Sequence, residues 1–143
     1  MKDLHNNCKA TVVVEPVAVG TTGTGQTGGI IDLQGFGGCE FIVSVGAITA
    51  TDAVFTVTVM EGDVTGTLTS VADADLLGTE LLAGVAATTP RTDGTSEKVT
   101  KRVGYKGAKR YCNCSISSTV TAGTPVSVSA VLHSPNVAPV ANP

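Results

Sequence analysis

Apolar and polar residues alternate with a period of two over short stretches of this chain, and turn-forming residues separate the stretches. In VFTVTVME, residues 54–61, Phe55, Val57 and Val59 fall on one side and Thr56 and Thr58 on the other, the pattern of a strand covered on one face. Similar β-rich runs occur at 11–19 (TVVVEPVAV), 30–33 (IIDL), 40–45 (EFIVSV), 68–71 (LTSV), 98–105 (KVTKRVGY), 110–117 (RYCNCSIS) and 125–133 (PVSVSAVLH). The predicted fold class is therefore all-β: an antiparallel β-sandwich or jelly-roll-like barrel of about 7–8 strands, with extended terminal arms. Glycine and threonine punctuate nearly every junction, and 17 glycines are more than a helical protein of this length tolerates. One segment departs from the pattern. In ADADLLGTELLAGVAA, residues 72–87, Leu76, Leu77, Leu81 and Leu82 are spaced to line one side of a short helix, which Gly78 and Gly84 weaken. One helical turn and an irregular loop both remain open there.

Two further segments carry no apolar period. ATTPRTDGTSEK, residues 87–98, reads as an exposed loop. SPNVAPVANP, residues 134–143, has three prolines in ten positions, which cannot continue a hydrogen-bonded ladder. The chain thus divides into a β-sandwich domain with its N-terminal segment, residues 1–134, and a Pro-rich C-terminal arm, residues 135–143. Val137 and Val140 suit that arm for docking onto a neighbour.

At 143 residues the chain fits one domain, and with aromatic residues at 3% and no Trp its core must be built from Val, Ile, Leu and Ala. Such thin layers suggest that a partner supplies part of the stability. A net charge of -3 gives no global attraction for nucleic acid or anionic membrane, so neither is an expected partner. The N-terminal MKDLHNNCKATVVVEPVAVG has its apolar run interrupted by Glu15 and Pro16, unlike a signal peptide, and no stretch reaches the 18 or so apolar residues of a membrane helix. Synthesis in the cytoplasm is the expectation, with Cys8, Cys39, Cys112 and Cys114 as reduced thiols. Cys112 and Cys114, two apart, would share one strand face and are read as small core residues. Neither His5 nor His133 stands at a ligand spacing from them, so no metal is expected.

GTGQTGGI, residues 23–30, matches the G-x-G-x-x-G spacing of dinucleotide-binding loops, but that chemistry needs a helix directly afterwards to aim its amides at the phosphate. IIDLQGFGG follows instead, a β-like run and a glycine turn. The segment therefore reads as an inter-strand loop, and no cofactor is expected. His5 and His133 lie near the two ends without an orienting acid in sequence, so no catalytic residue is assigned and the chain reads as a non-enzyme. The acid pairs Asp73/Asp75 and Glu61/Asp63 read as solvated turn residues. The sharpest electrostatic feature is KVTKRVGYKGAKR, residues 98–110, with six of the nine Lys and Arg and no acid. It is either a charged edge strand that discourages edge-to-edge pairing or a basic stripe that meets an acidic patch on a partner protein.

Three stretches carry a resemblance: IIDLQGFGGCEFIVSVGAIT (30–49), KRVGYKGAKRYCNCSISSTVTAG (101–123) and VLHSPNVAPV (131–140), a little over a third of the chain. Together they resemble a family of small head-associated virion proteins of tailed bacteriophages and prophages. The D-L-Q-G-F turn falls on Asp32 to Phe36, and the basic turn on Gly104, Tyr105, Lys106, Gly107, Lys109, Arg110 and Tyr111. The resemblance implies a decoration or cement protein on the outer face of the capsid, binding the major capsid protein and neighbouring copies of itself, most simply as a trimer. It also implies location in the virion. The candidate partner-binding residues are Lys101, Arg102, Tyr105, Lys106, Lys109, Arg110, Val137 and Val140. The loop at 21–29 and the segment 87–98 depart from the family pattern and leave open which surface faces the shell. A tail or host-recognition module is the alternative, disfavoured by the scarcity of aromatic faces for sugar rings.

Overall fold

A computed structural model describes residues 3–19, 25–94, 97–119 and 123–141. In chain order its strands are β1 (Cys8–Val19), β2 (Gly25–Gln26), β3 (Ile31–Asp32), β4 (Phe36–Val45), β5 (Ala53–Gly62), β6 (Thr69–Ser70), β7 (Leu76–Leu77), β8 (Val85–Ala87), β9 (Val99–Tyr105), β10 (Tyr111–Ser118) and β11 (Thr124–Pro135). A single helical turn, α1 (Glu80–Ala83), precedes β8. One sheet runs β1-β11-β4-β9-β7; the other runs β2-β10-β5-β6, with β3 also on β10 and β8 also on β5. All the strand pairings are antiparallel. The architecture is the expected sandwich, with six long strands carrying it and five strands of two or three residues bringing the total among the described residues to eleven.

Period-two alternation builds the core. Phe55, Val57 and Val59 of β5 are buried against Cys39, Phe41, Val43 and Val45 of β4, Val126, Val128, Ala130 and Leu132 of β11, and Cys112, Cys114 and Ile116 of β10. Asn113 is buried too, because the segment after β2 covers the outer face of β10: Gly28 N donates to Ser115 Oγ at 3.2 Å, and Asn113 Nδ2 donates to Gly28 O at 3.4 Å. β1 keeps pairing through Glu15 and Pro16, with register shifts between Val12 and Val14 and between Val14 and Val17. Proline is tolerated there because β1 is an edge strand and the irregularity spares a ladder bond.

The leucine-lined helix face does not form. Leu76 is buried in β7, while Leu81 and Leu82 of α1 are 88% and 66% exposed. Gly78, at φ +86°, turns the chain, Thr79 Oγ1 accepts from Leu82 N at 3.1 Å, and Gly84 ends the turn after four helical residues. A polar side chain makes the inward anchor: the Glu80 carboxylate accepts from Val59 N.

Candidate functional site

Two of the crossings between the sheets meet at one end of the sandwich, the first through residues 33–35 from β3 to β4 and the second through residues 106–110 from β9 to β10. The first crossing is the D-L-Q-G-F turn and the second the basic turn, so two motifs about seventy residues apart in sequence become neighbours. Their backbones are joined directly, Leu33 N donating to Arg110 O at 2.8 Å. Arg110 grips Asp32 with two bonds, Nε to Oδ1 at 3.0 Å and Nη2 to Oδ2 at 2.7 Å, while its guanidinium lies 4.9 Å from the centre of the Tyr111 ring. Lys109 Nζ reaches Asp63 Oδ2 at 2.6 Å, from the segment after β5. Between the two turns lies an open groove of about 400 Å³, lined by Gln34, Phe36, Asp63, Ala108, Lys109 and Arg110 among others.

Tyr105 holds this end from within. It is fully buried; its hydroxyl donates to Glu61 Oε2 at 2.5 Å and accepts from Lys109 N at 3.1 Å. Burial, followed by the neighbouring Glu61 carboxylate, pushes its hydroxyl pKa above the ordinary value. Expected as a partner contact, Tyr105 is instead inside, out of a partner's reach, and shapes the basic turn. Gly107 fits this arrangement because a Cβ there would fall 2.6 Å from the ring.

The remaining candidates divide by position. Lys106 is exposed at the start of the basic turn, its amide donating to Asp75 O at 2.9 Å. Lys101 lies on the inward parity of β9 with Val99, Val103 and Tyr105, yet is exposed. The reason is coverage: β7 pairs only with Gly104 and Tyr105, leaving the outer edge of β9 open at Lys101. An inward-parity lysine on an open edge blocks edge-to-edge pairing, so this residue supports the edge-protection reading. Arg102 is on the outer face, 3.6 Å from Glu40. Val137 is 78% exposed, whereas Val140 is half-buried and its amide donates to Asn6 O at 3.0 Å. With Asn136 N on Gly35 O at 2.8 Å, residues 136–140 fold back on their own chain beside the same two turns.

Most of what balances the basic turn was hidden from the sequence. Asp32 and Asp63 neutralise Arg110 and Lys109 across separations of 78 and 46 residues; Glu61 and Asp63 stood out only as a turn pair. Among the described residues, Lys101 and Lys106 make no ion pair. Among the described residues, no group of three or more His, Cys, Asp and Glu could hold a metal ion, and no helix is long and apolar enough to cross a membrane. The glycine-rich segment continues into strands: Gly25 is in β2, Ile31 in β3, and Gly23 lies outside the described residues.

The Asp32 pair has a measurable pH signature. The Arg110 hydrogen bonds hold the Asp32 carboxyl below its ordinary value, against a smaller opposing effect of burial. A depressed folded pKa stabilises above the unfolded value of about 4, and the contribution is lost as pH falls through the folded value. Because both partners are more than two-fifths exposed, solvent screening keeps the contribution small. Asp32→Asn is thus expected to lower the urea midpoint slightly at neutral pH and to leave it unchanged in strong acid. An equal loss at both pH values would show that the ion pair contributes nothing.

Fold and surface together define a two-sheet antiparallel β-sandwich whose sequence motifs are gathered on its exterior at one end. No family model matches the chain, and no curated protein does. Among solved structures it is similar to the SPBc2 prophage-derived protein YomS, at 13% identity over 90% of this chain and 94% of the other, with a TM-score of 0.45. It is also similar to a disulfide-linked pilus protein of Bacillus endospore appendages, at 11% identity over 89% and 86% of the two chains, TM-score 0.40. A third likeness is to an endo-1,4-β-D-xylanase of Clostridium thermocellum, at 16% identity over 96% of this chain and 28% of that one, TM-score 0.44. At these identities and scores, none of the three carries a shared family or activity.

Proposed function

We propose that this protein is a non-catalytic structural component of a bacteriophage virion that decorates the capsid by binding the major capsid protein lattice. The observation that carries the reading is the meeting of the D-L-Q-G-F turn and the V-G-Y-K-G-A-K-R-Y turn, the two motifs of the resemblance, on one exposed end face tied by Asp32 and Arg110. A face of short turns with charges held in fixed positions suits recognition of a flat, repeating surface. Many copies on a lattice convert modest single contacts into lasting attachment. Self-association, most simply as a trimer at threefold points of the shell, belongs to the same proposal.

Charge reversal tests the docking face. Lys109 and Arg110 are poor targets, since reversing them also breaks their bonds to Asp63 and Asp32. Lys106 and Lys101 are exposed and without an ion pair among the described residues, so Lys106→Glu and Lys101→Glu change the surface field with little effect on the fold. Cosedimentation with purified heads lacking the protein is expected to show binding for the wild type. On the order of tenfold weaker binding is expected for Lys106→Glu, at the face, with a smaller loss for Lys101→Glu, on the strand edge. Recovery of the protein from tails alone, with none on heads, would overturn the assignment. Unchanged binding by the Lys106 variant would overturn the face.

A further inference from the structure

Three of the four cysteines are buried, and two of them meet across the core. Cys39 is on β4 in one sheet and Cys112 on β10 in the other. Both are fully buried, and their sulfurs are 3.6 Å apart. They sit next to the end where the chain crosses between sheets. Cys112 pairs with Ile31 of β3, and the chain runs from β3 through residues 33–35 into β4, which carries Cys39. The Leu33 to Arg110 backbone bond closes the same corner. The short β3–β4 connection therefore holds the two sheets close where the thiols face one another.

We propose that Cys39 and Cys112 are a disulfide-forming pair, a covalent staple between the sheets that closes when the reduced chain meets an oxidising environment. The oxidant is a small-molecule disulfide such as oxidised glutathione. In a transiently opened chain, the thiolate of one cysteine attacks the small disulfide, forming a mixed disulfide and releasing one small thiolate. The second cysteine thiolate then attacks the protein sulfur of the mixed disulfide, forming the Cys39–Cys112 bond and releasing the second small thiolate. The two protons lost by the cysteines end on the two released thiols, and the two electrons given up by the cysteine sulfurs reduce the oxidant. Closing the bond requires the sulfurs to approach from 3.6 Å to about 2.0 Å.

The other cysteines are placed differently. Cys114 shares the inward face of β10 with Cys112, two residues along, a spacing that strains a mutual bridge. Cys8 is only half-buried, at the start of the edge strand β1. Burial pushes the Cys114 thiol up to about 12, and the Cys112 contact followed by burial raises that of Cys39. Cys39 and Cys112 are both fully buried, out of reach of a small disulfide in the closed fold, so oxidation waits on opening. The pairing rests on the fold alone and is independent of which surface docks.

The test refolds the Cys8→Ser variant from urea in a mixture of reduced and oxidised glutathione poised near the extracellular range, then traps free thiols with N-ethylmaleimide. The expected product is lighter by two hydrogens before trapping, with a Cys39–Cys112 cross-linked peptide. Its melting temperature is expected to be higher than that of the reduced form by on the order of 10 °C, a gain abolished by dithiothreitol. Adding Cys114→Ala should leave the cross-link in place; Cys39→Ala should remove it, and the peptide map of the first variant decides the matter should that one not fold. A fully reduced product, a Cys112–Cys114 bridge, or an oxidised form that melts lower than the reduced one would each overturn the proposal.

Discussion

Phe41→Ala is expected to lower the free energy of unfolding by about 3–5 kcal/mol, read as a fall in the urea midpoint at unchanged slope. Phe41 lies on β4, flanked on both sides by β11 and β9, and is fully buried. The chain has three Phe, two Tyr and no Trp; Phe41, Phe55 and Tyr105 are the largest of its fully buried side chains. Removing Phe41 leaves a cavity beside its strand partners Ala130 and Val103, small side chains on hydrogen-bonded strands with little freedom to fill it. Since a domain of this kind is stable by only about 5–15 kcal/mol, the variant loses a large share of its margin. A loss below about 1 kcal/mol, within the range of ordinary surface substitutions, would mean that the core is loosely packed at its centre.

Gly28→Ala is expected to cost about 1–3 kcal/mol or more by overpacking, although it adds a single methyl group. A Cβ at this position would overlap the Cys114 carbonyl oxygen and lie 2.6 Å from Val13 Cγ1. Backbone of β10 on one side and the edge strand β1 on the other leave it no room, so the segment after β2 must lift off. Gly66 is the control: nothing lies within 4 Å of its added Cβ, and alanine there should fall within about 0.5 kcal/mol of wild type. Equal stability of the two variants, measured by urea unfolding, would refute this account. The last glycine of the G-x-G-x-x-G spacing thus has a structural reason in close backbone approach.

The strands that alternate cleanly were legible. Phe55, Val57 and Val59 in β5 needed only the period-two rule, and the same rule places Tyr105 with Val99 and Val103 on the inward face of β9. That parity signal was available for Tyr105, but the surrounding lysines and arginines drew attention to its charge neighbourhood. Lys101 has the same parity and the opposite fate, because β7 is too short to cover it. Local pattern cannot report how far a neighbouring strand extends. Over residues 76–82 the leucine spacing describes a helix face, and of the two readings open there the structure takes the single turn: Gly78 and the Thr79 cap limit it to Glu80–Ala83, Ala83 is its buried residue and the Glu80 carboxylate accepts from Val59 N.

By itself the amino-acid sequence determined the class of fold, the positions of the six long strands and that a strand, not a helix, follows the glycine-rich segment, since side-chain alternation is a property of neighbouring residues. Only the tertiary structure decided that the two motif turns share one end, that Asp32 and Asp63 neutralise Arg110 and Lys109, and that Cys39 faces Cys112 across the sheets. Each of those pairs joins residues 46 to 78 positions apart. Such contacts depend on which strands become neighbours and in what register, which is set by the packing of the whole sandwich and by no local run of residues.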